Sequence, residues 1–133
     1  MPYLEWKDSL SVGIRNIDEQ HRQLVDMVNE LHDEAETSGR HCPAPELVAR
    51  LKAYAAEHFH IEEGYMQAFA YPDFEAHRLE HEGFIIAVHG FETACTLGQA
   101  DPREVLEFLK QWLVQHITDV DVQMGRFLED YLQ

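Results

Sequence analysis

The residues of this 133-residue chain best suited to do chemistry are histidines and carboxylates that recur along segments with helical periodicity. Seven of them form one set by position and spacing: His21, His58, Glu62, His77, His81, His116 and Asp121. Two pairs in the set are four residues apart, which places both side chains on one face of a helix. Five imidazoles and two carboxylates are too many ligands for one ion. They suit two iron ions that share carboxylate bridges.

The histidines of this set are in register with the apolar stripe of their segments. His21 shares a stripe with Leu24 and Val28, and His116 follows Trp112 by one helical turn. A single histidine on an apolar face is more often hydrogen-bonded within a core than bound to a metal. Five such histidines over four segments are hard to satisfy in that way, because each buried ring nitrogen needs a partner. We therefore expect a metal centre.

Asp121 is the member of the set that ordinary helix geometry does not place. It follows His116 by five residues, which in an ideal α-helix is a rotation of roughly 140° about the axis. By spacing alone, Asp119 and Val120 lie nearer to the face of His116. Asp121 can join the site only if the helix contains a π-bulge, as helices often do at functional sites, or if the metal ions lie between the two directions. The spacing leaves Asp119, Asp121 and a water molecule open as the ligand.

Four helical segments must position these residues. The sequence predicts an N-terminal arm at residues 1–17. The periodicity predicts four helices after it, at residues 18–37, 45–70, 73–97 and 102–132. Asp18 is expected to cap the first helix, and Asp101 followed by Pro102 is a typical start for the last one. Helices of this length joined by short loops favour an all-α fold, an antiparallel up-down-up-down four-helix bundle. We expect a single domain spanning residues 1–133.

The charge of the chain limits its partners. It has 10 basic and 25 acidic residues, which gives a net charge of −15. Such a surface should repel nucleic acid and anionic lipid rather than bind them. It would suit a protein partner that has a basic docking patch.

The sequence has no feature of a membrane protein or of an exported protein. Its longest apolar run, residues 84–88, is far shorter than the roughly 20 residues needed to span a bilayer. The first residues lack the basic and apolar regions of a secretory signal. Cys42 and Cys95 form neither a metal pair nor a disulfide framework, so we expect reduced thiols in a cytoplasmic protein. Because a small bundle can bury its own core, we also expect a monomer.

Four sequence motifs carry a resemblance to a known family. They are DEQH at 18–21, HFHIEE at 58–63, HRLEH at 77–81, and WLVQHI at 112–117 followed by Asp121. Together they resemble the hemerythrin family, and most closely its stand-alone bacterial members, the bacteriohemerythrins. The resemblance covers nearly the whole chain, including Trp6 in the arm, and fills all seven ligand positions in order.

This resemblance implies a centre of two non-haem iron ions that binds dioxygen reversibly. One iron would be held by three histidines, His77, His81 and His116. The other would be held by His21 and His58. Glu62 and Asp121 would bridge the two, together with an oxo or hydroxo oxygen from solvent. Dioxygen would bind at the position left open on the second iron.

By the same resemblance, an apolar pocket would surround the dioxygen. Its walls would be Leu24, Phe59, Trp112, Leu113 and Ile117. Each of these residues can equally be a plain core residue, and one side chain can fill both roles. A dry pocket would slow autoxidation. The nitrogen-rich ligand set favours the lower oxidation states of iron.

The other titratable residues are not expected to bind metal. His32, His41, His60 and His89 match no ligand position, and we expect them on the surface or in loops. Glu63 is expected either to face outwards or to orient a ligand histidine.

The resemblance implies a carrier rather than an enzyme. It would store dioxygen or deliver it to oxygen-consuming enzymes, including membrane-bound ones. An oxygen or redox sensor acting through a separate partner is one alternative, although sensors of this family tend to be fused to signalling domains. An enzyme that removes peroxide or nitric oxide at the same irons is another. Iron buffering would need more than two irons per chain and a carboxylate-lined path, which the sequence does not show clearly.

Overall fold

The computed structural model describes residues 2–38 and 43–132. They form a short 3-10 helix, Asp8–Leu10, and then α-helices, with no strand in the described ranges: α1 (Arg15–Ser38), α2 (Pro45–Ala68), α3 (Phe74–Thr96), α4 (Pro102–His116) and α5 (Val122–Leu128). The bundle packs α1 against α2 and α4, and α2 against α3. The predicted all-α four-helix bundle with an N-terminal arm is confirmed.

The first helix begins at Arg15 and not at Asp18, because Asp18 has another role. Its carboxylate accepts a hydrogen bond from the backbone N–H of Val12 at 2.8 Å and one from the Ser11 hydroxyl at 2.5 Å. Asp18 therefore ties the arm to the first turn of α1 instead of capping the helix. Asp101 caps α4 as expected, accepting from the backbone N–H of Arg103 at 2.9 Å.

The fourth helix of the bundle is interrupted by a π-helical segment, Ile117–Asp121, between α4 and α5. A π-turn contains one residue more than an α-turn, so it rotates the residues that follow. In the segment Asp121 is buried, whereas Asp119 is exposed. The π-bulge considered from the spacing is therefore present.

The N-terminal arm contacts two helices of the bundle. Asn29 of α1 binds the arm at Leu4: its Oδ1 accepts from the backbone N–H at 2.7 Å, and its Nδ2 donates to the carbonyl at 2.8 Å. On the other side, Gly125 of α5 lies directly against Val12. The arm thus closes the end of the bundle at which α1 begins and the π segment lies.

The expectation of reduced cysteines is wrong for Cys95, which takes part in a disulfide bond. The other cysteine of the sequence, Cys42, lies outside the described residues. Sequence spacing does not report such a bond, because a disulfide needs two Cα atoms only about 5.5 Å apart in space. No helix within the described ranges is both long and apolar enough to cross a membrane.

The close approach of the arm to α5 predicts that one added methyl group lowers the stability of the protein. In Gly125→Ala, the new Cβ would overlap the carbonyl oxygen of Val12. We expect the free energy of unfolding to fall by about 1–3 kcal/mol in urea unfolding, as for other overpacked sites. Gly64→Ala is the matched control, since its Cβ would meet no atom within 4 Å. That change should stabilise the helix by up to about 1 kcal/mol. Equal effects of the two changes would contradict the packing described for the arm.

Candidate metal centre

The bundle brings all seven predicted ligands together at its centre. Their exposed fractions lie between 0 and 2%: His21, His58, Glu62, His77, His81, His116 and Asp121. Their ligand atoms form two groups, within each of which all atoms lie less than 4.8 Å apart. Glu62 and Asp121 belong to both groups. The first group also contains His21 and His58, and the second contains the other three histidines.

Each carboxylate divides its two oxygens between the two groups. Oε2 of Glu62 lies 3.3 Å and 3.1 Å from the Nε2 atoms of His21 and His58, and Oε1 lies 3.5 Å and 3.1 Å from those of His77 and His81. Asp121 does the same. Its Oδ2 is 3.1 Å from His21 Nε2, whereas its Oδ1 is 2.9 Å and 3.1 Å from the Nε2 atoms of His77 and His116. Each carboxylate thus presents one oxygen to each group of imidazoles.

These buried atoms lie close together, but the imidazoles are not aligned to donate hydrogen bonds to the carboxylate oxygens. Both oxygens of each carboxylate lack a hydrogen-bond partner in the described structure, as do the Nε2 atoms of His21, His77, His81 and His116. Unpartnered buried polar atoms are rare, and each costs free energy. Imidazole nitrogens and carboxylate oxygens are suitable donors for iron or zinc. The residues present therefore fit a metal-binding role.

Three histidines are oriented through their second ring nitrogen by a neighbouring helix. His58 Nδ1 lies 2.6 Å from Oε1 of Gln20, His81 Nδ1 lies 2.8 Å from Oε2 of Glu63, and His116 Nδ1 lies 2.8 Å from Oε1 of Glu80. If Nδ1 carries the proton, each Nε2 presents its lone pair to the centre. Of the two roles expected for Glu63, the orienting one is therefore observed.

Sequence reasoning missed Gln20 and Glu80. Each directly precedes a predicted ligand, as Glu63 directly follows one. A residue beside an inward-facing ligand is turned by about 100° towards the adjacent helix. Adjacency to a ligand is therefore the signal that points to these positions.

Aromatic rings hold two of the histidines in place. The ring of Phe59 stacks on His81, with centroids 4.0 Å apart and planes 7° from parallel. Trp112 stacks on His116 in the same way, at 4.4 Å and 10°. These contacts fix the ring planes on one side of the centre.

An apolar void lies beside these two stacked pairs. Its volume is about 10 Å³, and within the described structure its lining residues are all apolar: Leu24, Val28, Leu51, Ala55, Phe59, Phe84, Leu109, Trp112 and Leu113. This volume is near the lower limit for one water-sized molecule. Four of the five predicted pocket residues line the void. The fifth, Ile117, is fully buried in the π segment.

The remaining histidines lie away from this centre. His60 and His89 are exposed, and His32 is half-buried, where its ring stacks on Tyr3 at 4.3 Å. These three positions agree with the surface roles expected for them. His41 lies outside the described residues.

Comparison with known proteins identifies the family. Residues 12–128 match the hemerythrin HHE cation-binding domain. The chain belongs to the hemerythrin family. The resemblance inferred from the four motifs is therefore confirmed.

Individual members of the hemerythrin family are similar over most of their length. The bacteriohemerythrin of Pseudomonas aeruginosa is 36% identical over 121 residues, which cover 91% of this chain and 78% of that protein. A hemerythrin of Sipunculus nudus is 29% identical over 124 residues, which cover 92% of each chain. A crystal structure of wild-type hemerythrin superposes with a TM-score of 0.83 at 31% identity, covering 93% of this chain and 96% of the other.

In this hemerythrin-family chain, the carboxylates control how the histidines titrate. Burial lowers the pKa of His21, but the neighbouring carboxylates of Asp121 and Glu62 raise it more, to about 10. The same opposing causes raise the pKa of His77 to about 9. Without metal, both rings therefore carry a proton at pH 7.

The two carboxylates titrate in the opposite direction. Burial raises the pKa of Glu62, but the nearby imidazoles of His58 and His21 lower it more and hold it well below its usual value. Burial and the charge of Glu62 raise the pKa of Asp121, yet His116 and His21 outweigh them and lower it. Both carboxylates are ionised at neutral pH, as bridging ligands must be.

These titrations predict how the metal-free protein responds to pH. The pKa values of folded His21 and His77, about 10 and about 9, lie above the ordinary 6.5 of the unfolded chain. Their protons therefore stabilise the folded state fully below pH 6.5, and this contribution is lost as the pH rises through 9 and 10. In urea unfolding, we expect the free energy of unfolding to fall by on the order of a few kcal/mol between about pH 7 and pH 10.

The metal-loaded protein is the control for this experiment. Its imidazoles bind metal without these protons, so it should not show the same loss. A metal-free protein whose stability stays constant or rises over this range would contradict the assignment.

The hydrogen bond that Glu80 accepts from His116 Nδ1 predicts a second effect. In Glu80→Gln the contact can persist, but the acceptor is no longer charged. We expect the iron affinity to fall roughly 10- to 100-fold in competition with a chelator, as for other supporting groups of metal ligands. Glu82→Gln removes the same charge from the same helix, on a side chain that binds Arg78 and not a histidine. An equal loss in both variants would show that net charge alone is responsible.

Proposed function

We propose that this protein binds dioxygen reversibly at a centre of two non-haem iron ions. His21 and His58 would hold one iron, and His77, His81 and His116 the other. Glu62 and Asp121 would bridge the two. The observation that carries this proposal is the division of each carboxylate's two oxygens between two groups of imidazoles. The names of the relatives, hemerythrin and bacteriohemerythrin, support it.

The ligand set favours oxygen carriage over oxygen activation. When bound, the iron pair would supply two electrons to dioxygen and take them back when dioxygen leaves. The chain's own residues supply five neutral nitrogens and two carboxylates, a set that favours the lower oxidation states. Glu63 and Glu80 hold two of the imidazoles in orientation. The grouped ligand residues in the part of the chain that is described are histidines and carboxylates, with no cysteine among them.

The apolar surroundings have the task of keeping the centre dry. We propose that Leu24, Phe59, Trp112, Leu113 and Ile117 surround the dioxygen. Buried apolar walls exclude water, and they limit proton delivery and the loss of reduced oxygen species. The small void beside Phe59 and Trp112 has only apolar residues in its lining, as a water-free pocket requires. These side chains would therefore slow autoxidation.

In the cell, such a carrier would store dioxygen or deliver it to an oxygen-consuming enzyme. The strongly acidic surface suits a partner with a basic patch. The cytoplasmic location expected from the sequence stays a prediction. The disulfide bond at Cys95 does not support it, since such bonds are typical of oxidising compartments.

An optical titration tests the proposal. The reduced, iron-loaded protein is moved from anaerobic buffer into air and back under vacuum, and iron is counted per chain. We expect two irons and a charge-transfer band that appears with dioxygen and disappears under vacuum. Irreversible oxidation would favour a redox sensor. Steady oxygen or peroxide turnover with a reductant would favour an enzyme, and more than two irons would favour iron storage.

The proposed pocket predicts a contrast between two leucines of α4. Leu113 lines the void and Leu106 does not, yet each is 6% exposed. Leu113→Asn brings a polar group next to the centre, so we expect autoxidation to quicken roughly tenfold, followed optically in air-saturated buffer. Leu106→Asn should lose similar stability without this acceleration. Equal autoxidation rates in the two variants would contradict the proposed pocket.

A further inference from the structure

The outward face of α3, together with Leu97 directly after its end, carries an uncharged stripe in an otherwise acidic protein. All seven residues of this stripe are exposed, and they alternate at spacings of three and four: Ala76, Leu79, Gly83, Ile86, Gly90, Thr93 and Leu97. That is the heptad spacing of a helix that packs against another helix. Four large hydrophobic residues are strongly exposed in the described structure, and three belong to this stripe, with Leu79 at 54%, Ile86 at 63% and Leu97 at 64%.

The two glycines of the stripe have no evident role within the chain. Both lie in the interior of α3, where glycine is less favourable than alanine. A Cβ added at Gly83 or Gly90 would meet no atom within 4 Å in the described structure, so packing inside the protein does not require them. Small residues on an exposed helix face allow a second backbone to approach closely.

We propose that this face is the contact between two copies of the chain, with the two α3 helices antiparallel. The two-fold axis then passes between Gly83 and Ile86. In this register, Ile86 and Leu79 of one copy each face a glycine of the other copy. Ile86 packs over Gly83, and Leu79 packs over Gly90. The face is thus complementary to itself, as a two-fold interface must be. This pairing of large with small residues fills the space between the helices.

The polar side chains beside the stripe agree with the antiparallel register. Glu82 of one copy then lies beside His89 of the other, twice by symmetry. Within the chain, Arg78 already binds Glu75 and Glu82, the latter at 3.0 Å, so this edge carries little net repulsion. His89 is 72% exposed, and its nearest ion-pair partner is Glu92, at 3.9 Å. It is therefore available to a second copy.

A parallel pair fits less well. It would place Gly83 opposite Gly83 and Ile86 opposite Ile86, leaving gaps at one level and crowding at the next. It would also bring Glu75 of one helix beside Glu80 of the other, which is unfavourable. The antiparallel arrangement avoids both conflicts.

The contact should be weak and strengthened by salt. One pair of helices buries less than the roughly 1,600 Å² of a standard protein interface. Each copy carries a net charge of −15, and salt screens the repulsion between the two. We expect a dissociation constant on the order of 100 µM at physiological salt. At low concentration, the monomer expected from the sequence would then prevail.

Sedimentation equilibrium of the iron-loaded full chain tests the proposal, without reducing agent and from about 10 µM to about 1 mM. We expect a monomer–dimer equilibrium. Ile86→Gln should weaken it at least tenfold. Leu97→Gln is the matched control, because Leu97 is equally exposed but lies beyond the paired levels in this register. It should leave the dissociation constant unchanged.

Changes at two further positions test the contact. One distinguishes dimerisation from folding stability, and the other tests which residues of the two copies face each other. Gly83→Ala should stabilise the monomer through helix propensity and still weaken the dimer, because its methyl group fills the space taken by Ile86. His89→Lys should tighten the dimer and His89→Glu should weaken it, since each faces Glu82. The same two charges placed at Gln115, exposed on α4, control for net charge.

Four results would overturn the proposal. They are a monomer at every concentration and salt, a dimer insensitive to Ile86→Gln, a dimer lost equally in Leu97→Gln, and His89 variants that behave like those at Gln115. Because none of these readouts involves dioxygen, a failure here leaves the proposed function untouched.

Discussion

Two carboxylates, Glu62 and Asp121, lie buried at the centre of the bundle, and no donor in the described structure is aligned to form a hydrogen bond with them. Burying an ionised carboxylate costs several kcal/mol unless a positive charge is close by. In the metal-free state, protonated imidazoles of His21 and His77 supply that charge. Metal ions would supply it more strongly, because the unpartnered Nε2 atoms of the histidines and the carboxylate oxygens could then bind at once. The stability of the core therefore depends on the positive charge that surrounds these two carboxylates.

Helix geometry supplies most of this arrangement. The spacing of four residues sets His58 with Glu62 and His77 with His81, so α2 and α3 each bring two ligands from a single face. The π segment between α4 and α5 sets Asp121 beside His116. Contacts between neighbouring helices then orient the rings: α1 holds a histidine of α2 through Gln20, α2 one of α3 through Glu63, and α3 one of α4 through Glu80. The first three helices thus each orient one histidine of the helix that follows, which couples the four helices through the centre.

The sequence predicted the features that depend on local periodicity, including the helices and the pairs spaced at four residues. It did not decide whether Asp121 or Asp119 belongs to the site, because a π-turn depends on backbone hydrogen bonding that side-chain spacing does not report. It placed the start of α1 at Asp18, since a capping residue and one that binds the arm look alike in sequence. It did not identify Gln20 and Glu80, because a contact between helices depends on how each is rotated. It was wrong about Cys95, whose partner is set by distance in space.

The central claim is that two metal ions share Glu62 and Asp121. A crystal structure of the iron-loaded protein, with anomalous differences measured on both sides of the iron absorption edge, tests this most directly. The account predicts two iron peaks, one beside His21 and His58 and the other beside His77, His81 and His116, with both carboxylates between them. One iron peak, or two peaks with Asp121 turned away from both, would contradict it.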